Sequence, residues 1–421
     1  MDDSSRVDVC VAGLGYVGLP TAVFFADRGL EVVGVDVDPH RVGDVNAGVL
    51  PFVEPGLGDL LRGVVQAGKL TARMDMPAAA TYIIAVPTPI LADRSVDSSF
   101  VWEAASNIAH RLHGDELIIL ESTVPPLTTE GLRDRILELR PDLAEETDKS
   151  PGLGFAHCPE RVLPGSIMIE MTTTDRVIGG VEPRATERAV ELYSSISSGH
   201  LHKTDAKTAE LTKLTENSYR DVNIAFANEL SLVCKTMGVD VWELIELANH
   251  HPRVNILQPG PGVGGHCIAV DPWFIVQADP DNTRLIQAAR RVNDLKPMAV
   301  VKEVLKSCEG IEKPKIEVLG ITFKPNVDDV RQSPAVVITR ELAQRMPEAE
   351  IEVIDPLVHG LPEDLGDVSN IGLVSDIKEA KGADVLVVLV DHDEFHLEDL
   401  EELQVGAVVD TRGLFRKEVK N

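Results

Sequence analysis

The stretch from Gly260 to Phe274, GPGVGGHCIAVDPWF, sets a cysteine in a glycine-rich loop with Asp271 four residues beyond it. Glycines let backbone approach a ligand closely and adopt positive φ. A thiol offered by such a loop is placed as a covalent nucleophile, whereas the common role of a cysteine is that of a small buried hydrophobe. Upstream, Lys213, Asn217 and Arg220 fall at i, i+4 and i+7 of a helical pattern and share one face. A lysine cation near the thiol favours the thiolate. At the other end of the chain, Gly13-Leu14-Gly15-Tyr16-Val17-Gly18 follows a strand and opens a helix, the context a dinucleotide fingerprint requires. Its pyrophosphate would rest on the helix N-terminus. Asp36 ends the next strand, where a carboxylate accepts from both ribose hydroxyls and repels a 2′-phosphate, so NAD is favoured over NADP. Thiol and cofactor together point to an oxidation in which the substrate is held on sulfur while a nicotinamide collects electrons.

Other residues have a functional and a bland reading. The long helix carries Asn217, Asn223 and Asn228. Asparagine is a poor interior helix residue, so these amides suggest recognition, against the alternative of a solvated polar face. His266 could act as a base, but a neighbour in a loop usually points elsewhere, and it reads as structural. Cys10 and Cys234 read as core, and Cys158, before Pro159, as positional. Phe323 to Arg331, FKPNVDDVR, ends a strand with two cations. In a chain of net charge −28, Lys324 and Arg331 are candidates for phosphate or cofactor contacts.

These groups need a frame to hold them. Residues 7–12 (VDVCVA) read as a buried strand, followed by the glycine turn, which opens a helix through Pro20 to Arg28. Further strands are expected at 31–36, 82–86, 117–120 and 154–157. The last three end in the polar tags PTP, EST and CPER. Open α/β sheets bind ligands just beyond the C-terminal ends of their strands. From Thr204 to Met237 one long amphipathic helix is expected, stopped by Gly238, with helical structure continuing to about Glu309. The chain then restarts as α/β, with strands at 316–321, 351–355, 384–390 and 407–410 and a helix from Pro334. The expected class is therefore α/β: two Rossmann-like, doubly wound parallel-sheet domains joined by a long central helix and a helical domain. The expected boundaries are 1–200, 201–309 and 310–421.

Composition narrows the classes. At 421 residues, two or three domains are expected, and the apolar fraction of 44% is that of a globular protein. No apolar run approaches the roughly 18 residues of a membrane span. The acidic start, Met1-Asp2-Asp3-Ser4-Ser5, is unlike a signal peptide. Five scattered cysteines argue against a disulfide framework, no CxxC suggests a metal, and a cytoplasmic location is expected. Sixty-eight acids against 40 bases, with a pI near 4.8, oppose nucleic acid and anionic membrane as partners. Clusters at Glu145-Glu146, 363–367 and 398–402 fit either ordinary solubilising charge or adaptation to a salt-rich cytoplasm.

The chain resembles the UDP-glucose/GDP-mannose dehydrogenases, four-electron oxidoreductases of nucleotide sugars, over essentially its whole length. The resemblance rests on GLGYVGLP (13–20), AVPTP (85–89), ESTVPP (121–126), CPERVLPG (158–165), AELTKLTENSYRDVN (209–223), the cysteine loop and GITFKPNVDDVRQSP (320–334). Within that family, HPRVNILQPGPGVGGHCIAVDPWF is similar to the UDP-N-acetyl-D-mannosamine dehydrogenases. UDP-glucose enzymes usually carry a serine before the cysteine and a lysine before the aspartate, where this chain has His266 and Val270. The resemblance implies an NAD domain, a helical dimer-forming centre and a UDP-binding domain. It makes Cys267 the nucleophile, Lys213 the partner of the C6 oxygen, Asn217 and Asp271 supporting groups, and Glu160 and Thr123 assistants to water. NAD would meet Gly13, Gly15, Tyr16, Val17, Gly18, Asp36, Arg41, Thr88, Thr123 and Arg331. The UDP-amino sugar would meet Glu160, Arg161, Val162, Lys213, Asn217, Arg220, His251, Arg253, Gly264, Phe323 and Lys324. Arg253 can reach a neighbouring subunit's site in this family, so a homodimer with sites completed across its interface is implied.

The leading expectation is thus an NAD-dependent UDP-N-acetyl-D-mannosamine 6-dehydrogenase. Its rivals are the same chemistry on UDP-N-acetylglucosamine or UDP-glucose, a two-electron dehydrogenase with a structural Cys267, and a non-enzymatic NAD sensor.

Overall fold

The computed structural model describes residues 6–91, 93–144, 152–162, 165–265, 267–380, 382–396 and 404–416. His266, the N-terminal five residues and the acidic clusters at 145–146 and 398–402 lie outside them. The chain divides into two compact units, Met1–Glu216 with Trp273–Asp279, and Asn217–Pro272 with Pro280–Asn421.

The first unit is built on eight strands: β1 (Val7–Ala12), β2 (Val32–Val35), β3 (Leu70–Arg73), β4 (Ala79–Ile84), β5 (Leu117–Leu120), β6 (Gly154–His157), β7 (Arg176–Gly180) and β8 (Leu201–Asp205). Their order is β3-β2-β1-β4-β5-β6-β7-β8, with every neighbouring pair parallel except β6 and β7. Alternate residues feed opposite faces. Val9, Val11, Leu117 and Ile119 enter one core, while Cys10, Ala12, Ile118 and Leu120 enter the other. Burial on both faces explains why these strands read as continuous apolar runs. The helix Gly18–Asp27 after β1 is buried from Gly18 to Ala26.

The second unit holds a five-stranded parallel sheet, β9 (Lys315–Leu319), β10 (Glu350–Ile354), β11 (Ile371–Val374), β12 (Ala383–Val388) and β13 (Val405–Asp410), in the order β11-β10-β9-β12-β13. Both sheets contain the 3-2-1-4-5 winding of a dinucleotide-type half. The fold class is the one expected.

Two expectations need correction. The long helix runs from Ala206 to Met237, not from Thr204, because Leu201–Asp205 pairs with β7 as the sheet's last strand. Asp205 then caps the helix, accepting from the Thr208 amide at 3.0 Å. Strands β3, β7, β8 and β11 were not anticipated. They are short, and β3 and β8 expose residues to solvent. At 1.5 Å per residue the helix is about 48 Å long, and Gly238, at φ +68°, ends it. Among the described residues no helix is long and apolar enough to cross a membrane.

Candidate active site

The cofactor end lies in the first unit. Gly13 has φ +94°, and a Cβ there would stand 2.4 Å from the Ala85 carbonyl oxygen; a Cβ on Gly18 would stand 2.0 Å from the Gly13 oxygen. Gly15 meets nothing within 4 Å. The first and third glycines are thus demanded by packing, and the second leaves open room at the helix N-terminus for a pyrophosphate. The buried carboxylate of Asp36 accepts from the Leu14 amide at 2.8 Å, the Asp38 amide at 3.0 Å and Arg41 Nη1 at 3.2 Å. It therefore ties the end of β2 to the glycine turn as well as pairing with Arg41. Tyr16 stacks on Phe52 with ring centroids 4.5 Å apart and donates to Glu54. Val17 precedes the helix as its cap residue. Thr88 and Thr123 meet, the Thr88 hydroxyl donating to the Thr123 carbonyl at 2.7 Å. The cradle fits NAD.

Beyond β6, Glu160 is held from three sides. One oxygen accepts from the amides of Arg161 (2.6 Å) and Val162 (2.9 Å), and the other pairs with buried Arg176 at 3.2 Å. Arg161 pairs with Glu216 at 2.7 Å. Below them, Glu121 accepts from Thr21 Oγ1 (3.0 Å) and the Tyr193 hydroxyl (2.8 Å). Burial, and secondarily the charge of Glu160, push its carboxyl up to about 7. Burial likewise raises the Cys158 thiol to about 12, consistent with a positional role. Sequence reasoning missed Arg176 and Tyr193. Neither lies in a recognisable motif, and no local signal could have found them.

The thiol lies in the second unit. Cys267 is exposed, whereas Cys10, Cys158, Cys234 and Cys308 are buried. Its carbonyl accepts from the amides of Val270 (3.0 Å) and Asp271 (2.8 Å), so the turn runs directly into the helix Asp271–Ala278. Buried Asp271 accepts from the Asn217 amide at 2.5 Å. That bond occupies one donor of the amide expected to serve the substrate. Lys213 lies half-buried one turn earlier on the long helix, and Arg220 is exposed.

The glycine loop and the FKPN segment come together. A Cβ on Gly264 would stand 2.4 Å from the Gln332 carbonyl oxygen, and one on Gly265 (φ +80°) 2.8 Å from the Phe323 ring. Lys324 Nζ lies 5.6 Å from the centre of that ring. Arg331 is paired with Asp329 through two bonds of 2.9 and 2.6 Å. His251 and Arg253 are exposed, the Arg253 amide donating to His251 Nδ1 at 3.3 Å. Asn223 and Asn228 do not present recognition groups to a ligand. Their amides bond the chain leading to the thiol loop.

Residues 7–197, 207–295 and 317–417 match in turn the NAD binding, central and UDP binding domains of the UDP-glucose/GDP-mannose dehydrogenase family. The chain belongs to that family. It is a dehydrogenase whose cofactor is NAD. It is 46% identical over 423 residues to the UDP-N-acetyl-D-mannosamine dehydrogenase of Escherichia coli (strain K12), covering 98% of this chain and 100% of that one. It is also 46% identical over 420 residues to an NDP-N-acetyl-D-galactosaminuronic acid dehydrogenase of Ralstonia nicotianae, covering 99% and 98%. Among solved structures, the UDP-N-acetyl-mannosamine dehydrogenase of S. aureus matches with a TM-score of 0.85 at 39% identity, covering 97% of this chain and 95% of that one.

Proposed function

We propose that this dehydrogenase oxidises UDP-N-acetyl-D-mannosamine at C6 to the uronate in two hydride transfers, with the intermediate held on Cys267. The observation that carries the reading is the exposure of this thiol on a glycine loop, when the other four cysteines are buried. The substrate is supported by the 46% identity to the E. coli enzyme. A second reading, an N-acetylgalactosamine-type nucleotide sugar, is favoured by the equal identity to the Ralstonia enzyme. UDP-N-acetylglucosamine and UDP-glucose follow.

The chemistry needs each group in turn. Two NAD molecules, bound in turn, would each accept one hydride. The first leaves an aldehyde, to which Cys267 thiolate adds to form a thiohemiacetal. Loss of the second hydride gives a thioester, which water cleaves to acid and thiol. Lys213 stabilises negative charge on the C6 oxygen, with Asn217 in support. Glu160 or Asp271 takes the proton from the attacking water. Glu160 is held by Arg176 and by the amides of Arg161 and Val162, and these two residues meet the sugar nucleotide. Thr123 assists water. Arg220, His251, Arg253, Phe323 and Lys324 take the nucleotide sugar, and Arg331 the cofactor.

We assign 1–200 to NAD, 201–309 to dimerisation and catalysis and 310–421 to the UDP moiety, in a cytoplasmic homodimer. Tyr219, Phe226 and Val233, spaced seven apart on the long helix and 63%, 50% and 47% exposed, support the dimer as an apolar stripe that water would otherwise cover. Arg253 then serves the neighbouring site.

The test is stoichiometry on a panel of UDP-sugars. About two NADH per sugar are expected from the mannosamine substrate, against about one for a two-electron enzyme. Cys267→Ser should abolish acid formation while NAD binding persists. Normal turnover by that variant would overturn the thioester route.

A further inference from the structure

The segment Asn255 to Gly260 enters the thiol loop in an irregular conformation, without a strand partner. Its backbone bonds are supplied by three asparagine side chains. Asn223, on the long helix, donates to the Asn255 carbonyl at 3.1 Å and accepts from the Leu257 amide at 3.1 Å. Asn249 donates to the Ile256 carbonyl at 3.0 Å and accepts from the Ile256 amide at 2.7 Å. Asn228 accepts from the Gly260 amide at 2.9 Å. An amide side chain carries both donor and acceptor, as a peptide unit does, so these residues replace the neighbouring strand that the segment lacks.

Asn228 is fully buried, and its other end is fixed too. It donates to Asn293 Oδ1 at 2.9 Å, and Asn293 donates to the Asp221 carboxylate at 2.8 Å. Asparagine lowers helix propensity, and burying it is unfavourable unless both ends are paired. An apolar residue would serve helix packing better, so packing alone does not explain an amide here. Downstream, Gly262 packs on Pro297 and Pro334, Gly264 on Gln332 and Gly265 on Phe323. The path from Asn255 to Gly265 is therefore held at both ends, and Cys267 emerges two residues later.

We propose that Asn223, Asn228 and Asn249 are positioning residues that fix the entry to the thiol loop and so set where the Cys267 sulfur is presented. The inference rests on Cys267 being the nucleophile. It predicts that loosening the clamp impairs capture of the aldehyde more than binding of NAD, because misplacing a reacting group by about 1 Å can cost on the order of 100-fold.

The experiment uses the full-length protein with UDP-N-acetyl-D-mannosamine. Asn228→Ala and Asn223→Ala should lower kcat by roughly 10- to 100-fold, leave the KM for NAD within about twofold, and raise the fraction of product released as aldehyde. The alkylation rate of Cys267 by iodoacetamide, followed by mass spectrometry, should shift with them. Asn228→Asp, which keeps the acceptor for the Gly260 amide, should recover part of the loss. Asn370→Ala is the control: it removes bonds to three carbonyls elsewhere in the unit, and should lower Tm without changing the aldehyde fraction. The proposal is overturned if Asn228→Ala and Asn223→Ala change only Tm. Should Asn228→Ala fail to fold, half-buried Asn223 decides the matter. Cys267→Ser separates the two claims: normal acid formation by it removes the nucleophile reading, while the alkylation rates still report whether the clamp sets the loop.

Discussion

Gly264→Ala tests whether the thiol loop is seated as tightly as its contacts imply. The new Cβ would stand 2.4 Å from the Gln332 carbonyl oxygen and 2.6 Å from Pro334 Cδ, where ordinary contacts lie at 3.4–4 Å. About 1 Å of opening is needed. Neither neighbour can rotate aside, one being backbone and the other a proline ring, so the loop itself must lift. Overpacking of this kind costs about 1–3 kcal/mol, or roughly 2–12 °C in Tm for a unit of some 200 residues. A 1 Å lift at the loop carries through to Cys267 three residues on and should lower kcat by up to about 100-fold. Gly260→Ala supplies the contrast, because its Cβ would meet Arg412 Nη1, the end of a flexible side chain that can swing away. Initial rates of NADH formation, equilibrium NAD binding and thermal unfolding on both variants are the assay. NAD binding should be unchanged in both. If Gly264→Ala loses no more activity or stability than Gly260→Ala, the loop is not seated as argued.

Other expectations follow from the same geometry. Asp36→Ala should raise the KM for NAD and narrow its preference over NADP. It also leaves the Leu14 amide without its acceptor, costing about 1–3 kcal/mol of stability; a wild type that prefers NADP would remove the role given to Asp36. Glu121, raised by burial from about 4.5 to about 7, keeps a proton in the folded state that the unfolded chain releases, so its contribution to stability is lost as pH rises through that window. Glu121→Gln should flatten the fall in urea midpoint between those pH values, and an unchanged slope would show that another group titrates there. Finally, salt screens dispersed surface repulsion before close pairs, the Debye length falling from about 10 Å at 0.1 M to 3 Å at 1 M. Against a net charge of −28, Tm and kcat/KM should both rise across a KCl series, and a steady loss above about 0.2 M would mark the acidity as ordinary solubilising charge.

Much of the frame was legible without coordinates, because its signals are local. The turn at Gly13 to Gly18 shows in six residues, through a positive φ at Gly13 and the close approach of Gly18 to the Gly13 carbonyl, although the approach of Ala85 to Gly13 is a tertiary contact. The strands buried on both faces, such as LIIL at Leu117–Leu120, announce themselves as apolar runs. A cysteine bracketed by glycines and a helix start was readable as a presented thiol. Short edge pieces were not: Leu201–Asp205 is polar and half exposed, and is a strand only because β7 lies beside it.

Residue identity likewise left the partners of polar side chains open. Asn223 and Asn228 looked like ligand-binding amides and proved to hold the approach to the thiol loop. Glu160 was readable as an acid beyond a strand end; that Arg176, sixteen residues away, and two backbone amides hold it was not. Asp36 is engaged by the Leu14 amide, 22 positions earlier. Periodicity and turn chemistry act over a few residues and can be read along the chain. Which donor satisfies a given carboxylate or amide depends on which distant segments the core brings together, and that only the tertiary structure decides.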